Sequence, residues 1–282
     1  MSVTKAESSP GSEPSPETES PLGDRAAWQS EPPLEPAVLA RDLRKTYGPV
    51  EALSGLDLRV DPGVFLTIFG PNGAGKTTLM KVLSTLTRPT DGTALVGGKD
   101  VVRDAAAVRK RVGVISHNTY LYAQLSALEN LEFYARMYRV RDGRERALAL
   151  LKKMDLARRM HDRVATYSRG MQQRLSVARA LLHDPELLLL DEPYTGLDQH
   201  ASRVLAEVLE GLRDGTRTVI MTTHNLQEGL AGCDRAAIMV EGRLVYDQGV
   251  SDIDVSGFQN TYFSCVHDEL PVAEAWDQEV SV

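Results

Sequence analysis

Gly70-Pro71-Asn72-Gly73-Ala74-Gly75-Lys76-Thr77-Thr78 fills every position of the phosphate-loop pattern G-x-x-x-x-G-K-[ST]. Glycines in such a loop let the backbone curl until several N–H groups aim at one point, where a triphosphate can sit. The pattern needs a strand before it and a helix after it. Val64 to Phe69 is apolar and rich in aromatic and β-branched residues, and Lys76 to Leu86 places Leu79, Val82 and Leu83 on one helical side. A helix N-terminus adds its dipole and free N–H groups to the pull on an anion. Lys76 is expected to reach the β- and γ-phosphates and the Thr77 hydroxyl to ligate Mg²⁺. The stretch therefore implies binding of a nucleoside triphosphate on an α/β scaffold.

A second stretch supports this. Leu187-Leu188-Leu189-Leu190-Asp191-Glu192 is an apolar strand that ends abruptly in two carboxylates, about 115 residues after the loop. Ligands sit at the carboxyl ends of parallel strands in open α/β sheets. Asp191 there can hold Mg²⁺ through water. Glu192 can orient and deprotonate an attacking water.

Around these anchors the pattern divides the chain. Residues 1–36 are crowded with Ser, Pro and Glu and are expected to form a disordered acidic tail. Val38 to Tyr47, Ala52 to Val60, Thr93 to Val96 and the short run after Gly97-Gly98 read as a largely antiparallel β region, with turns at Asp91-Gly92 and Gly97-Gly98. Ser126-Ala127-Leu128-Glu129 matches a capping box, and Leu128, Leu131, Ala135 and Tyr138 follow at helical spacing. Helices over Arg144 to Met154 and from near Gly170 complete a helical segment at about 118–182. Strands then return at Glu186 to Leu190, Thr218 to Thr222 and Ala236 to Val240, separated by helices around Ser202 to Leu212 and Asn225 to Leu230. Such alternation means a parallel sheet. Residues 256–282 read as a loose acidic tail, which leaves 37–255 as the folded domain.

The chain of 282 residues carries a formal charge of −7, unevenly spread. Residues 1–36 hold seven acids and two bases, and residues 256–282 hold five acids and no Lys or Arg, which leaves about +3 on the middle. That is too weak a basic signal to imply a nucleic-acid partner. Cys233 and Cys265 are too few for a disulfide framework and read as unrelated thiols in a reducing compartment. With no signal-like stretch and no apolar run near 18 residues, a cytosolic location is expected, and any membrane role must come through a partner.

Tyr167-Ser168-Arg169-Gly170-Met171-Gln172-Gln173-Arg174, the phosphate loop, the Asp191-Glu192 pair, Thr195-Gly196-Leu197-Asp198 and His224 follow one another in the order of an ATP-binding-cassette (ABC) ATPase domain, which the chain resembles over roughly residues 37–250. The resemblance implies a P-loop NTPase with a RecA-like parallel-sheet core, an N-terminal antiparallel β subdomain and an inserted helical subdomain. It implies hydrolysis of ATP with Mg²⁺ in a head-to-tail dimer, formed with a second copy or a paralogous ATPase subunit. Each ATP would lie between the phosphate loop of one subunit and the signature segment of the other. Ser168 and the backbone at Gly170 would then meet the partner's γ-phosphate, and Asp198 would help join the two sites. Tyr47, in Lys45-Thr46-Tyr47-Gly48, matches the aromatic that stacks on adenine. His224 would contact the γ-phosphate and position water.

Two departures stand out. The signature is usually Leu-Ser-Gly-Gly-Gln, whereas here it is Tyr167-Ser168-Arg169-Gly170-Met171; the phosphate-touching Ser and second Gly survive. After the apolar strand Val112-Gly113-Val114-Ile115, His117 stands where the family usually has a Gln that touches Mg²⁺ and the attacking water. Imidazole can still hydrogen-bond, but it titrates near neutrality. His117 is therefore expected to keep a positioning role and to add a pH dependence. The whole resembles the stand-alone ATPase subunit of an exporter, working with a transmembrane permease that docks near His117 to Leu125. The haem-exporter ATPases of cytochrome c biogenesis are the leading subclass. ATPases of multidrug or antibiotic exporters are the alternative, as is a non-transport ABC ATPase that transmits force to a membrane partner.

Overall fold

The structure, a computed structural model, describes residues 35–116, 118–197, 199–212 and 215–267. Its elements run β1 (Val38–Tyr47), β2 (Val50–Val60), β3 (Phe65–Phe69), α1 (Lys76–Leu83), β4 (Asp91–Val96), β5 (Lys99–Asp100), α2 (Ala105–Arg111), β6 (Val112–Ile115), α3 (Ala127–Tyr138), α4 (Gly143–Lys153), α5 (Arg169–Leu181), β7 (Leu187–Asp191), α6 (Gln199–Glu210), β8 (Thr218–Thr223), α7 (Leu226–Leu230), β9 (Arg235–Val240), β10 (Arg243–Gly249) and α8 (Phe258–His267).

The strands form two sheets. The first is antiparallel, in the order β2-β1-β4-β5, and its long hairpin closes where Tyr47 faces Val50. The second runs β10-β9-β3-β8-β7-β6, parallel from β9 through β6 with β10 antiparallel on the edge. Every residue of β3, β7 and β8 is buried. That fits their largely apolar sequences, broken only by threonines and by Asp191, since the strands of a parallel sheet are buried on both faces.

The core has two parts. One fills the space between the sheets and takes in Leu79, Val82 and Leu83 of α1, the side that the helical spacing marks. The other joins the far face of the parallel sheet to α3, α4 and α5, through residues such as Leu131, Leu151, Leu175 and Leu190. The capping box at the head of α3 is present. Ser126 Oγ accepts from the Glu129 N–H at 3.2 Å, and Glu129 Oε2 accepts from the Ser126 N–H at 2.7 Å. Helix α1 stops at Leu83 rather than Leu86, because Thr85 adopts a left-handed conformation (φ 63°) and Ser84 Oγ bonds back to the Met80 carbonyl at 2.7 Å.

One boundary is corrected. The segment from 256 is not a loose tail throughout, because α8 is a regular helix whose Phe258 and Cys265 are buried in the second core. Residues 1–34 and 268–282, most of the two acidic tails, lie outside the described residues. Cys233 and Cys265 are both buried.

Candidate active site

The phosphate loop hangs between β3 and α1. Gly75 precedes α1 with φ 103°, and a Cβ there would lie 2.3 Å from the Ala52 carbonyl oxygen, so only glycine fits. As the N-cap, Gly75 brings no side chain to the free N–H groups of the first turn, which leaves them to an anion. Lys76 is buried at the start of that helix. Its Nζ donates to the Gly70 carbonyl at 2.6 Å and the Pro71 carbonyl at 3.1 Å, and lies 3.9 Å from Glu192 Oε1. Burial pushes the ammonium below the ordinary lysine pKa, against the opposing pull of the Glu192 and Asp191 carboxylates.

Two strands, β7 and β8, and the helix α1 converge on the carboxylates. Asp191, at the end of β7, is buried and accepts from Thr77 Oγ1 at 3.1 Å. The same oxygen accepts from Thr222 Oγ1 at 2.8 Å, because parallel register places Thr222 of β8 directly beside Asp191. Thr222 was not singled out among the site residues. Nothing in the sequence of β8 marks it, since Thr218 and Thr223 carry the same hydroxyl on the same strand. Thr222→Val keeps the shape and removes the donor, so Mg²⁺ affinity is expected to fall about 10-fold or more, as for other supports of a metal-binding carboxylate. A Mg²⁺ titration of ATPase activity checks this, and wild-type metal dependence would remove Thr222 from the site.

Glu192 follows with a left-handed backbone (φ 51°), an arrangement that costs a non-glycine residue on the order of 1 kcal/mol and that its surroundings must hold. Its N–H donates to the Thr222 carbonyl at 3.0 Å. Its Oε2 lies 3.0 Å from His224 Nδ1 and 3.5 Å from Thr195 Oγ1. A carboxylate only accepts, so that contact puts the imidazole proton on Nδ1 and leaves Nε2 for another partner. Asn225 caps α7 directly after His224, accepting from the Gln227 and Glu228 N–H groups at 3.1 and 3.2 Å, which fixes the chain there.

Lys76, Thr77, Asp191, Glu192 and His224 thus form one connected group. Ser168 and Gly170 make no hydrogen bond to it among the described residues. They open α5, where Ser168 Oγ accepts from the Met171 N–H at 3.3 Å. A cavity of about 430 Å³ runs from Glu192 and Thr195 to Arg169 and Gln172 of α5 and to Asn118 and Thr119. Tyr47 stands exposed at the end of β1 with the Lys45 ammonium 4.9 Å from its ring centre. His117 and Asp198 lie outside the described residues. Gln173 is a buried residue of the signature segment that also went unremarked; its Nε2 donates to the Pro193 carbonyl at 3.3 Å and ties α5 to the turn after Glu192.

The donor set at Thr77 and Asp191 is a hydroxyl and a carboxylate, hard oxygens that suit Mg²⁺ when phosphate and water supply the remaining ligands. Among the described residues no group of three or more His, Cys, Asp or Glu is placed to hold a metal ion.

The family model described as "ABC transporter" matches residues 53–195. The daunorubicin resistance ATP-binding protein DrrA3 of Streptomyces coeruleorubidus is 42% identical over 218 residues, covering 77% of this chain and 69% of that protein. Nod factor export ATP-binding protein I of Cupriavidus metallidurans is 38% identical over 207 residues, covering 73% and 68%. Among solved structures, the dimeric post-hydrolysis state of the ATP-binding cassette MJ0796 bound to ADP and Pi matches with a TM-score of 0.69 at 28% identity, covering 76% of this chain and 98% of that one.

Proposed function

This chain belongs to the ABC transporter ATP-binding family, and from that premise we propose that it powers export of drug- or antibiotic-type molecules through a separate transmembrane permease. Its reaction is hydrolysis of ATP to ADP and phosphate. The observation that carries the catalytic assignment is the Glu192 carboxylate, 3.0 Å from His224 Nδ1 and beside the buried ammonium of Lys76. Glu192 takes the proton of the attacking water, and His224 orients that carboxylate while its Nε2 faces the γ-phosphate. Lys76 leaves the Gly70 and Pro71 carbonyls for the β- and γ-phosphates, and Gly70 to Thr78 supply the backbone cradle. Thr77 and Asp191 would hold Mg²⁺, which would supply neutralisation of charge on the phosphates. Tyr47 stacks on adenine.

The working unit in this proposal is a head-to-tail dimer, with a second copy or a paralogous subunit, in which Ser168, Gly170 and Asp198 complete the partner's site. The dimeric relative of known structure supports it. Among the described residues no helix is long and apolar enough to cross a membrane. The translocation path is given to a permease and the cytoplasmic face to this chain, in keeping with the ABC transporter family. His117 couples the site to that permease. Superimposable pH–rate profiles of wild type and His117→Gln would remove its titrating role; the expected result is loss of one ionisation near neutrality.

The names of the relatives speak of daunorubicin resistance and Nod factor export, and neither mentions haem. The multidrug or antibiotic exporter therefore displaces the haem exporter as the main assignment. Deleting the chain is expected to raise intracellular accumulation of an anthracycline drug, with wild type but not Glu192→Gln restoring efflux. Unchanged drug levels together with lost c-type cytochromes would reverse the assignment in favour of haem.

A further inference from the structure

Helix α8 carries one face of apolar or half-buried residues: Phe258, Thr261, Tyr262 and Cys265, at i, i+3, i+4 and i+7. Phe258 is 1% exposed, and its ring meets Phe69 edge-on with centroids 5.2 Å apart, while Tyr246 of β10 flanks it at 5.9 Å. Phe69 is no ordinary core partner. It is the last residue of β3, bonded directly to Gly70 of the phosphate loop. On another side it is pressed by α7, where a Cβ on Gly229 would lie 2.3 Å from its ring. Gly70 in turn is seated against β9, since a Cβ there would lie 2.2 Å from the Met239 carbonyl oxygen, and its own carbonyl holds Lys76 Nζ at 2.6 Å.

We propose that α8 is a strut for the phosphate loop, and that Phe258 is a positioning residue which sets Gly70, and through it Lys76, by fixing the Phe69 ring. The path is short and made of contacts in close packing: Phe258 to Phe69, Phe69 to Gly70, Gly70 to Lys76. Close-packed interiors transmit displacement, so a void at Phe258 lets Phe69 tilt and carries the Gly70 carbonyl with it. One turn along the same face, Tyr262 is half buried, and its phenol is raised above the ordinary tyrosine pKa by burial first and by the Glu192 carboxylate second. The same helix face therefore lies within the field of the catalytic carboxylate. The inference concerns nucleotide binding and not the exported molecule, so failure of the drug-export assignment would leave it standing.

The experiment compares Phe258→Ala, Phe258→Leu and Leu151→Ala in the full chain. Leu151 is a fully buried residue of α4 in the helical subdomain and serves as the packing control. Thermal unfolding reads stability; titration with ADP and with Mg-ATP reads affinity; steady-state kinetics separates KM from kcat. Displacing Lys76 and the loop N–H groups weakens the charge-assisted hydrogen bonds they make to phosphate, so Phe258→Ala is expected to weaken ADP and ATP alike by roughly 10-fold. Its kcat at saturating ATP should stay close to wild type. Phe258→Leu should show a smaller loss in the same direction, and it decides the matter if the alanine variant does not fold. Leu151→Ala should lower the unfolding temperature and leave both affinities unchanged. Wild-type affinity in a folded Phe258 variant, or equal weakening in Leu151→Ala, would overturn the strut.

Discussion

Glu192→Gln is expected to lose ATP turnover by about 10²–10⁴-fold while still binding ATP, the usual cost of removing a positioned general base. The substitution is nearly isosteric. The amide oxygen can go on accepting from His224 Nδ1–H, and the left-handed backbone at position 192 is untouched. What disappears is the group proposed to take the water proton. Hydrolysis then stops with both phosphate contacts intact, so the variant is expected to accumulate as a nucleotide-bound dimer. Single-turnover hydrolysis, with size measured by light scattering in Mg-ATP, reads both effects. Turnover at the wild-type rate would remove Glu192 as the base.

The second large effect falls on Lys76. Lys76→Met keeps the apolar stem and removes the ammonium, so its consequences trace to charge and hydrogen bonding. A charge-assisted hydrogen bond contributes about 1.5–3 kcal/mol, and losing one or two toward the phosphates is expected to cost ~10²-fold in ATP affinity. Stability should move the other way or hardly at all. The folded protein holds Lys76 below its unfolded pKa, so the charge opposes folding at neutral pH, and this cost fades as pH rises through the lowered value toward 10.5. The Gly70 and Pro71 carbonyls lose a donor in the variant, which offsets part of that gain. The same lowering makes wild-type nucleotide binding decline on the alkaline side below the ordinary lysine range, a limb the methionine variant should lack. Calorimetric titration across pH checks both points. Wild-type affinity in Lys76→Met would take the loop lysine out of phosphate binding.

Much of this site obeys local rules and was legible for that reason. A glycine pattern with Lys and Thr fixes a loop, an apolar run ending in two acids fixes a strand end, and Ser126 with Glu129 fixes a helix start. Thr222 shows where locality ends. Its role comes from parallel register with Asp191 on a neighbouring strand, and nothing within β8 points to it. The two elements around α8 escaped for a related reason. Edge strand β10 is half buried and gains its pairing only from β9, while α8 shows its inward face through just a few positions in ten residues. Helix α2 has a single buried side chain, Val108, among bases, too little to mark a period. Tertiary contacts, not local preference, make these segments regular.

The most direct measurement is to purify Glu192→Gln from native membranes in Mg-ATP and identify what accompanies it. The expected companion is a polytopic membrane protein with two ATPase subunits, released when ATP is removed. A nucleotide-trapped protein accompanied by ribosomes, DNA or cell-wall machinery, with no membrane transporter, would leave the ATPase chemistry standing and contradict the exporter.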